Sequence, residues 1–583
     1  MVDSLGIRYA HFTLSYSFGR WLTPFVVWIR TDYTIPWVIG VFTMMYLAIS
    51  VALTVSILEI KKPTFVIATS FLMVSFPALA YSFSFDFIAD VLTLALLLSV
   101  LAVYYTKKYK HGYWLGAVFL ALSLSLYQSF LGFTMGLIVI LLIKHIVLYP
   151  RKSVKFDFCI FPIKCLLCGV IGLFMYLASV QLSLSIVGSE LLDYRGISSM
   201  GVPPLGDLLG IVARSFIWFF SFFVPSSHER SAFFFVTDAL FAAYFIAFIV
   251  LAFCLAKIFA ATQLYKQVAK MLMVVTCLFI LPVCLNIMDV LMQDVRTDAL
   301  HIYQFVLGIV LVLVVYDLYE IVAMREGKTI KLTLQKWALL GATLFIATSY
   351  FVTTGLYYYR LHIVYERTYA FHNRMLARIE STNGFTANTP IAIIGDGMFF
   401  TGVNHSEMHF PTIVNDRGIP SPTVTLRSNE VRNNHNFTVF VSHYLDVQLN
   451  HAGAEDIERL RSNNEFIEMA VWPHYDSVRY IDGFIVVKLN PSPFVKIEQI
   501  YGNLYHIYDA GTPIHVAENL QYFWNVFRED ELVHATDGYL TGHSSFEFRL
   551  TEGQRYRFQI FVRTQDLRFL DSGSFSDWYV FTQ

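Results

Sequence analysis

The sequence predicts a polytopic α-helical membrane protein of about 10 spans, followed by a C-terminal α/β region and a terminal β-sandwich. Two observations lead to this fold class. The 583 residues are 56% hydrophobic and only 15% charged, whereas soluble domains carry roughly 25% charged residues. Apolar runs near the ~20 residues that a spanning helix needs recur up to residue 358, and the composition then becomes that of a soluble fold.

The apolar runs are the predicted spans. They lie at 35–58, 64–83, 87–105, 113–126, 129–148, 160–182, 233–256, 271–289, 301–322 and 336–358. The fourth run is short, and we interpret it as one arm of a tight hairpin with the fifth. A further apolar run at 207–225 is framed by prolines, and we expect it to lie along or dip into the interface without crossing.

The lysines are confined to alternate loops, and this pattern predicts the orientation. The lysine loops contain Lys61/Lys62, Lys107/Lys108/Lys110, Arg151/Lys152/Lys155, Lys257/Lys266/Lys270 and Arg325/Lys328/Lys331. The positive-inside rule places these loops in the cytoplasm. The N-terminus and the region after about residue 360 are then predicted to be extracytoplasmic. Two explanations of an outer Met1 stay open, a short translocated tail and an upstream span that precedes this sequence.

The region after the spans is predicted to contain two folds, so that the chain has three domains, at 1–358, 359–490 and 494–583. A Pro-Ser-Pro linker at 491–493 separates the last two. The α/β region has a charged helix at 360–380, strands at 390–395, 437–441 and 483–489, and a helix at 454–464. The β-sandwich has strand patterns at 512–516, 522–528, 545–550 and 556–564.

Composition and motifs exclude several classes of function. The net charge of -1 gives no electrostatic case for nucleic acid binding. The sequence contains no P-loop, GxGxxG, HExxH or GxSxG context, so ATP-driven transport and soluble-type hydrolysis lack support. Cys165 and Cys168 lie in an apolar run without histidine or carboxylate partners, which favours buried thiols over a metal site. We expect no metal and no other cofactor.

Two carboxyl groups near the start of the third predicted span are candidate site residues. Asp86 and Asp90 are four residues apart and share a helical face if Asp86 begins the helix. A carboxylate at a membrane boundary is costly unless it is paired or functional. Asp86 is either the N-cap of the span or a carboxylate that faces a catalytic cavity. Asp90 either points into a polar bundle interior or precedes a span that starts later.

Residues 1–36 carry a compact set of charged side chains, and we expect this segment to form one wall of an extracytoplasmic catalytic cavity. The set includes Asp3, Arg8 and Arg20. Glycosyl transfer from a phospholipid donor needs an acid that takes the proton of an acceptor hydroxyl and cations that hold a phosphate. The alternative for Asp3 is a solvated acid near a terminus.

Polar residues of the other predicted outer loops complete the candidate set. Tyr127 and Gln128 interrupt the apolar hairpin, either as a capped turn or as substrate contacts. Tyr194 and Arg195 lie in the loop after the sixth predicted span. Arg296 lies between two acids of a later loop, where it either pairs with them or binds a phosphate.

In their order and spacing, several segments resemble the O-antigen-modifying glucosyltransferases of serotype-converting phages and their bacterial relatives, which are GT-C type membrane enzymes. The similar segments, within about 1–490, are Asp3-Ser-Leu-Gly-Ile-Arg8, Gly19-Arg20-Trp-Leu, Ser84-Phe-Asp86, Leu124-Ser-Leu-Tyr127-Gln128-Ser, Tyr194-Arg-Gly-Ile-Ser-Ser-Met200-Gly201, Met469-Ala-Val-Trp-Pro473 and Asp482-Gly-Phe-Ile-Val-Val-Lys-Leu489. The family begins with an acidic pair, of which Asp3 matches the first acid and Ser4 replaces the second. One extra residue precedes Arg8, and Asp86 matches an acid of the second outer loop.

The resemblance implies a GT-C-like fold and transfer of a sugar, usually glucose, from polyprenyl phosphate to a lipid-linked glycan such as O antigen. The expected place is the outer face of the bacterial cytoplasmic membrane, and the expected mechanism is one displacement with inversion. Asp3 and Asp86 are the catalytic candidates. The substrate-binding candidates are Arg8, Arg20, Asp90, Tyr127, Gln128, Tyr194, Arg195 and Arg296. The expected partners are the polyprenyl-phosphate-linked donor, the lipid-linked acceptor and the bilayer, without nucleic acid.

The terminal segment from about 494 lies outside the usual body of that family. It resembles fibronectin-type or triple-tyrosine accessory β-sandwiches, for which we expect a role in glycan contact or spacing.

Two other functions remain open from the sequence. A transporter or flippase for a lipid-linked sugar would favour inverted repeats with broken helices, whereas here no repeat is evident and the acids cluster at one face. An O-antigen polymerase would share the topology and location, but such enzymes usually lack a large C-terminal outer region.

Overall fold

The computed structural model is mostly helical, with strands confined to its C-terminal part. It describes residues 14–30, 35–82, 87–148, 156–192, 206–223, 238–291, 301–325, 334–395, 437–438, 440–442, 444–470, 472–489, 495–501, 503–509, 520–529, 531–536, 540–551, 553–564, 572–575 and 579–580. The described residues form two compact units, a helical unit up to residue 360 and a C-terminal unit from residue 361.

The helices of the helical unit begin where the sequence supplies start signals. Proline occupies the first position of three of them, where its missing N–H costs nothing. In chain order the helices are α1 Leu14–Ser17, α2 Thr23–Ile29, α3 Pro36–Leu58, α4 Pro63–Ser75, α5 Pro77–Ser82, α6 Ala89–Lys108, α7 Gly112–Leu124, α8 Leu131–Leu148, α9 Phe156–Val187, α10 Leu208–Phe223, α11 Asp238–Ala261, α12 Val268–Leu285, α13 Ile287–Leu291, α14 Val306–Arg325 and α15 Leu334–Glu380. Helix α14 is the most central, because Val306 to Leu318 are all buried.

Nine helices within the described residues are long and apolar enough to cross a membrane, which fits a multi-pass membrane protein. The fourth predicted span, at 113–126, corresponds to the shorter apolar helix α7, and the run at 207–225 corresponds to α10. The charged helix predicted at 360–380 is not separate, since it continues the last predicted span as the single 47-residue helix α15.

Ion pairs gather several lysines at one end of the helical unit, which we call the lysine end. Lys107 near the end of α6 lies 2.7 Å from Glu59, and Lys144 near the end of α8 lies 3.1 Å from the same carboxylate. Glu59 follows α3 with a left-handed φ of 54°. Lys336 at the start of α15 lies 3.7 Å from Glu320, near the end of α14. Of these lysines, Lys107 belongs to a predicted lysine loop, as does Lys62, which also pairs with Glu320.

The C-terminal unit starts with a three-stranded sheet of order β1-β3-β2. Its strands are β1 Ile391–Ile394, β2 Val478–Ile481 and β3 Phe484–Lys488, with β1 parallel and β2 antiparallel to β3. Helices α16 Ala454–Arg461 and α17 Asn464–Glu468 lie between β1 and β2 in the chain. The strands predicted at 390–395 and 483–489 and the helix predicted at 454–464 are confirmed within this segment.

The strand predicted at 437–441 is wrong, because the described residues of this segment are helical. Phe437, Phe440 and Val441 are all buried, and their spacing of three and four residues is that of one helical face. A short apolar run does not distinguish a strand from a buried helix by composition alone, so the tertiary packing decides.

Two further sheets form the terminal β-structure. Their strands are β4 Val495–Tyr501, β5 Leu504–Asp509, β6 Leu520–Arg528, β7 Glu531–Ala535, β8 Leu540–Thr541, β9 Ser545–Arg549, β10 Arg555–Thr564, β11 Ser572–Phe575 and β12 Tyr579–Val580. One sheet has the order β4-β5-β9, and the other is built around the β6–β10 pair. Alternate side chains such as Tyr522, Trp524 and Val526 form the core. The strand predicted at 512–516 lies outside the described residues.

Candidate active site

The Gly19-Arg20 pair forms a tight turn between α1 and α2. Gly19 has a φ of +67°, in the left-handed region that favours glycine. A Cβ atom at this position would lie 2.8 Å from the Tyr176 hydroxyl and 3.4 Å from Nε2 of Gln128. Glycine is therefore needed both for the backbone conformation and for the close approach of the turn to α9.

Further bonds hold the segment 14–30 against its neighbours. The Trp21 indole N–H donates to Ser179 Oγ of α9 at 2.9 Å, and the Leu22 N–H donates to the carbonyl of Ser125, after α7, at 3.3 Å. The position of Arg20 is thus set by two elements that are distant in the chain, α9 and the end of α7.

Arg20 makes two contacts at this turn. Its Nε donates to Oε1 of Gln128 at 3.2 Å, and its guanidinium carbon lies 4.7 Å from the centre of the Tyr127 ring, which is a cation–π contact. Among the described residues, none accepts a hydrogen bond from Nη1 or Nη2 of Arg20. The side chain is only partly buried, so these two groups can donate to an anion.

Gln128 links the turn to α9. Its Nε2 donates to the carbonyl of Phe18 at 3.0 Å and to the Tyr176 hydroxyl at 3.1 Å. Both amide protons are then used, and Oε1 faces Arg20. The buried Gln128 amide is therefore fixed in direction, and its Oε1 orients Arg20 by accepting the hydrogen bond from Nε.

Tyr127 meets His301, which precedes α14. The Tyr127 hydroxyl lies 3.2 Å from Nε2 of His301, and the two rings are parallel within 5°. Gln304 donates from Nε2 to the His301 carbonyl and, at 2.9 Å, to the carbonyl of Leu285 at the end of α12. We call the five residues Arg20, Tyr127, Gln128, Tyr176 and His301 the Arg20 cluster.

A buried ion pair joins α2 to α6. Nη1 of Arg30 donates to Oδ1 of Asp90 at 2.9 Å, and Nη2 donates to the carbonyl of Phe87. Oδ1 of Asp90 also accepts from the Val91 N–H at 2.9 Å. The two residues are 6% and 2% exposed, and a charge at such depth is tolerated when it is paired and hydrogen-bonded. Asp90 points into a polar bundle interior, which was one of its two predicted placements.

The Arg20 cluster and the Arg30–Asp90 pair lie at the end of the helical unit opposite the lysine end. Helix α6 starts beside Asp90 and ends beside Lys107. Helix α8 follows Gln128 and carries Lys144 near its end. Both helices thus run from the polar site to the lysine end.

Residues 1–316 match the family model described as Glucosyl transferase GtrII. The match covers more than half of the 583 residues. This chain belongs to the GtrII glucosyl transferase family. The comparisons with curated proteins and with solved structures gave no match. The family resemblance stated from the sequence is confirmed, and the GtrII family implies a glucosyltransferase in O-antigen modification.

The matched GtrII region contains the whole Arg20 cluster and the Arg30–Asp90 pair. The C-terminal unit lies beyond it. The chemistry of a GtrII glycosyltransferase is therefore to be sought in the helical unit.

The structure of this GtrII member brings together three of the predicted site residues, Arg20, Tyr127 and Gln128, and places Asp90 in an ion pair. The other predicted residues lie outside the described part of the chain and stay predictions: Asp3, Arg8, Asp86, Tyr194, Arg195 and Arg296. Within the described residues, no group of three or more His, Cys, Asp or Glu side chains is placed to hold a metal ion.

Sequence reasoning missed three residues of this GtrII site. Tyr176 lies inside the predicted span 160–182, and His301 lies at the first position of the span 301–322. Arg30 lies in the N-terminal segment 1–36, just before the first predicted span. A histidine or arginine at the edge of an apolar run was the only available signal, and it does not indicate which partner the side chain meets.

Proposed function

We propose that this GtrII member transfers glucose from a polyprenyl-phosphate donor to a lipid-linked surface polysaccharide such as O antigen. The observation that carries the proposal is Arg20, a cation held in one orientation with Nη1 and Nη2 directed to no described acceptor. Guanidinium groups of this kind suit phosphate oxygens, because they donate two parallel hydrogen bonds. The phosphate of the donor is the anion that this reaction must bind.

The reaction is a single displacement at C1 of the sugar. The acceptor hydroxyl gives its proton to a carboxylate, and its oxygen forms a bond to C1. The bond from C1 to the phosphate oxygen breaks, and polyprenyl phosphate leaves with the electron pair. We assign the carboxylate to Asp86 or Asp3. Arg20 then stabilises the charge that develops on the leaving phosphate.

Further roles follow from the positions of the other candidate residues in the sequence. Arg8 and Arg296 supply additional positive charge to the donor phosphate, and Tyr194 and Arg195 contact the substrates. Asp90 contributes by fixing Arg30 at the same end of the bundle. These roles belong to the predicted domain 1–358, with 359–490 and 494–583 as appended domains.

The reaction is proposed to take place at the outer face of the bacterial cytoplasmic membrane, on a GT-C-like scaffold. Lysine-rich loops favour the cytoplasmic side, and the Arg20 cluster lies at the end opposite to Lys107 and Lys144. With the same orientation, we propose that the C-terminal unit lies outside the cytoplasm.

The test is transfer in proteoliposomes that contain the full chain, synthetic radiolabelled polyprenyl-phosphate glucose and a lipid-linked O-antigen acceptor. We expect Arg20→Gln to lower the rate by about 10²-fold, the loss typical of one transition-state donor. Arg20→Lys keeps the charge without the planar fork, so it retains part of the rate. The control is Arg325→Gln at the lysine end, whose Nη1 bonds the Leu148 carbonyl at 3.1 Å. Wild-type transfer by Arg20→Gln would contradict the proposal.

A further inference from the structure

We propose that His301 is a positioning residue that fixes Arg20 for the donor phosphate by acting through the Tyr127 ring. The inference rests on the proposed function, because it assigns a role within the same site. His301 was not among the predicted site residues. It does not contact Arg20 directly and acts on it only through the Tyr127 side chain.

The Tyr127 side chain is held from both directions. Its hydroxyl lies 3.2 Å from Nε2 of His301, and the guanidinium carbon of Arg20 lies 4.7 Å from its ring centre. A tyrosine ring has only two side-chain torsions. The hydroxyl oxygen lies on the axis of the second torsion, so the bond itself fixes the first torsion and with it the direction of the ring. A phenolic O–H lies in the ring plane, and the Tyr127 and His301 rings are parallel within 5°, so a bond in this common plane also restrains the face that Arg20 contacts.

His301 is itself placed by backbone contacts. The residue is 6% exposed, and Gln304 bridges its carbonyl to that of Leu285 at the end of α12. Gly132 of α8 packs closely here, since an added Cβ would lie 3.1 Å from Nε2 of Gln304. The backbone of His301 is thus held between α8, α12 and α14, and the Tyr127 hydroxyl connects its side chain to the N-terminal turn.

Arg20 needs such a support because its other anchor uses a single nitrogen. The bond from Nε to Gln128 fixes one atom of the guanidinium group, and the plane can still rotate about that bond. Contact with the Tyr127 face restrains this rotation, because a cation is attracted to the face of an aromatic ring. The orientation of Nη1 and Nη2 therefore depends on the Tyr127 plane and, through it, on His301.

The experiment compares His301→Ala and Tyr127→Phe, which each remove the hydroxyl–imidazole bond while the ring face remains. We expect both variants to raise the KM for synthetic polyprenyl-phosphate glucose by at most roughly fivefold, because a ring that is no longer restrained weakens its cation–π contact with Arg20. The KM for the lipid-linked acceptor should not change. His301→Gln, which retains a hydrogen-bonding group, should restore part of the affinity. The exposed His111, beside α7, provides the control His111→Ala.

A double-mutant cycle separates positioning from a general loss of stability. The two changes act through one bond, so the double variant Tyr127→Phe/His301→Ala should be no worse than either single variant. In the Arg20→Gln background, His301→Ala should have no further effect on the donor KM. Additive effects, or a kcat/KM for the donor that is unchanged in both single variants, would overturn the inference.

Binding of sugar-free polyprenyl phosphate to the full chain in nanodiscs gives a second readout. We expect His301→Ala to weaken this binding by a similar factor. If the wild-type chain neither binds the lipid nor transfers glucose from it, the proposed function fails. If the wild-type chain does both and His301→Ala does so equally well, only the role of His301 fails.

Discussion

At the residue scale, Gly19 ties the backbone of the N-terminal turn to the chemistry of the site. Its left-handed φ alone accounts for a glycine, and the approach to Tyr176 and Gln128 adds a second reason. The Gly-Arg pair could be seen in the sequence, but the sequence showed neither the left-handed backbone of Gly19 nor its close approach to Tyr176 and Gln128. The close approach depends on α9, more than 150 residues away in the chain.

Gly19→Ala can be compared with Gly188→Ala to separate these two reasons. Gly188 has a φ of +68° with nothing within 4 Å of an added Cβ, whereas at Gly19 the Tyr176 hydroxyl lies 2.8 Å away. Both changes incur the backbone strain of about 1 kcal/mol, which thermal unfolding measures. Only Gly19→Ala should also displace Arg20 and reduce glucose transfer. Equal transfer rates for the two variants would argue against the geometry of the turn.

A buried lysine gives the C-terminal unit a pH-dependent stability. Lys488 is fully buried, and its Nζ donates to the carbonyls of Phe466 and Ile467 at 3.1 and 3.0 Å. Burial lowers the pKa of Lys488 from 10.5 to about 8, and the nearby Asp509 carboxylate offsets part of the effect. Between these pH values the unfolded chain binds the proton more tightly, so the stability of the unit rises with pH.

The expected measurement is the melting temperature of the C-terminal unit in the full chain at pH 7 and pH 10. The wild type should gain stability, by at most about 3 kcal/mol from this group. Lys488→Met removes the charge and should remove that part of the pH dependence. A pH dependence that is equal in the two proteins would show that Lys488 does not cause it.

At the scale of the elements, the pattern of apolar residues predicted where the helices lie, but it did not predict which polar side chains contact each other. Among the described residues, nine helices of spanning length occur where the sequence has apolar runs. The run at 113–126 forms a helix of only 13 residues, and the segment at 437–441 is helical because its buried residues follow a helical spacing. Which polar groups meet depends on packing between distant helices. The contacts of Tyr176 and His301 could therefore not be predicted from the sequence.

The Arg30–Asp90 pair offers a test of how α2 and α6 are joined. Removing one partner leaves a buried charge, so Asp90→Asn should destabilise the helical unit by about 3–5 kcal/mol. Replacing both residues, as Arg30→Met/Asp90→Leu, should restore much of the melting temperature. Glucose transfer by the double variant then distinguishes the two roles of Asp90. Restored transfer indicates a structural pair, and stable but inactive protein indicates a substrate-binding carboxylate.

At the scale of the whole molecule, the helical unit has two chemically different ends. Lysines and acids form ion pairs around Glu59 at one end, and the Arg20 cluster occupies the other. The alternation of lysine loops predicted this division from the sequence alone. Asp3 and Asp86 lie outside the described residues, so the catalytic role of a carboxylate stays a prediction. A test of the proposed glucosyl transfer must therefore include one of them.

The mass of the purified surface polysaccharide repeat tests the central claim most directly. The strains to compare are the wild type, a deletion strain, and strains that carry Asp86→Asn, Arg20→Gln or the control Arg325→Gln. We expect the deletion, Asp86→Asn and Arg20→Gln strains each to lose one hexose per repeat, while Arg325→Gln retains it. An unchanged repeat mass in the deletion strain would contradict glucosyl transfer to this polysaccharide, and shorter chains with an intact repeat would indicate a polymerase.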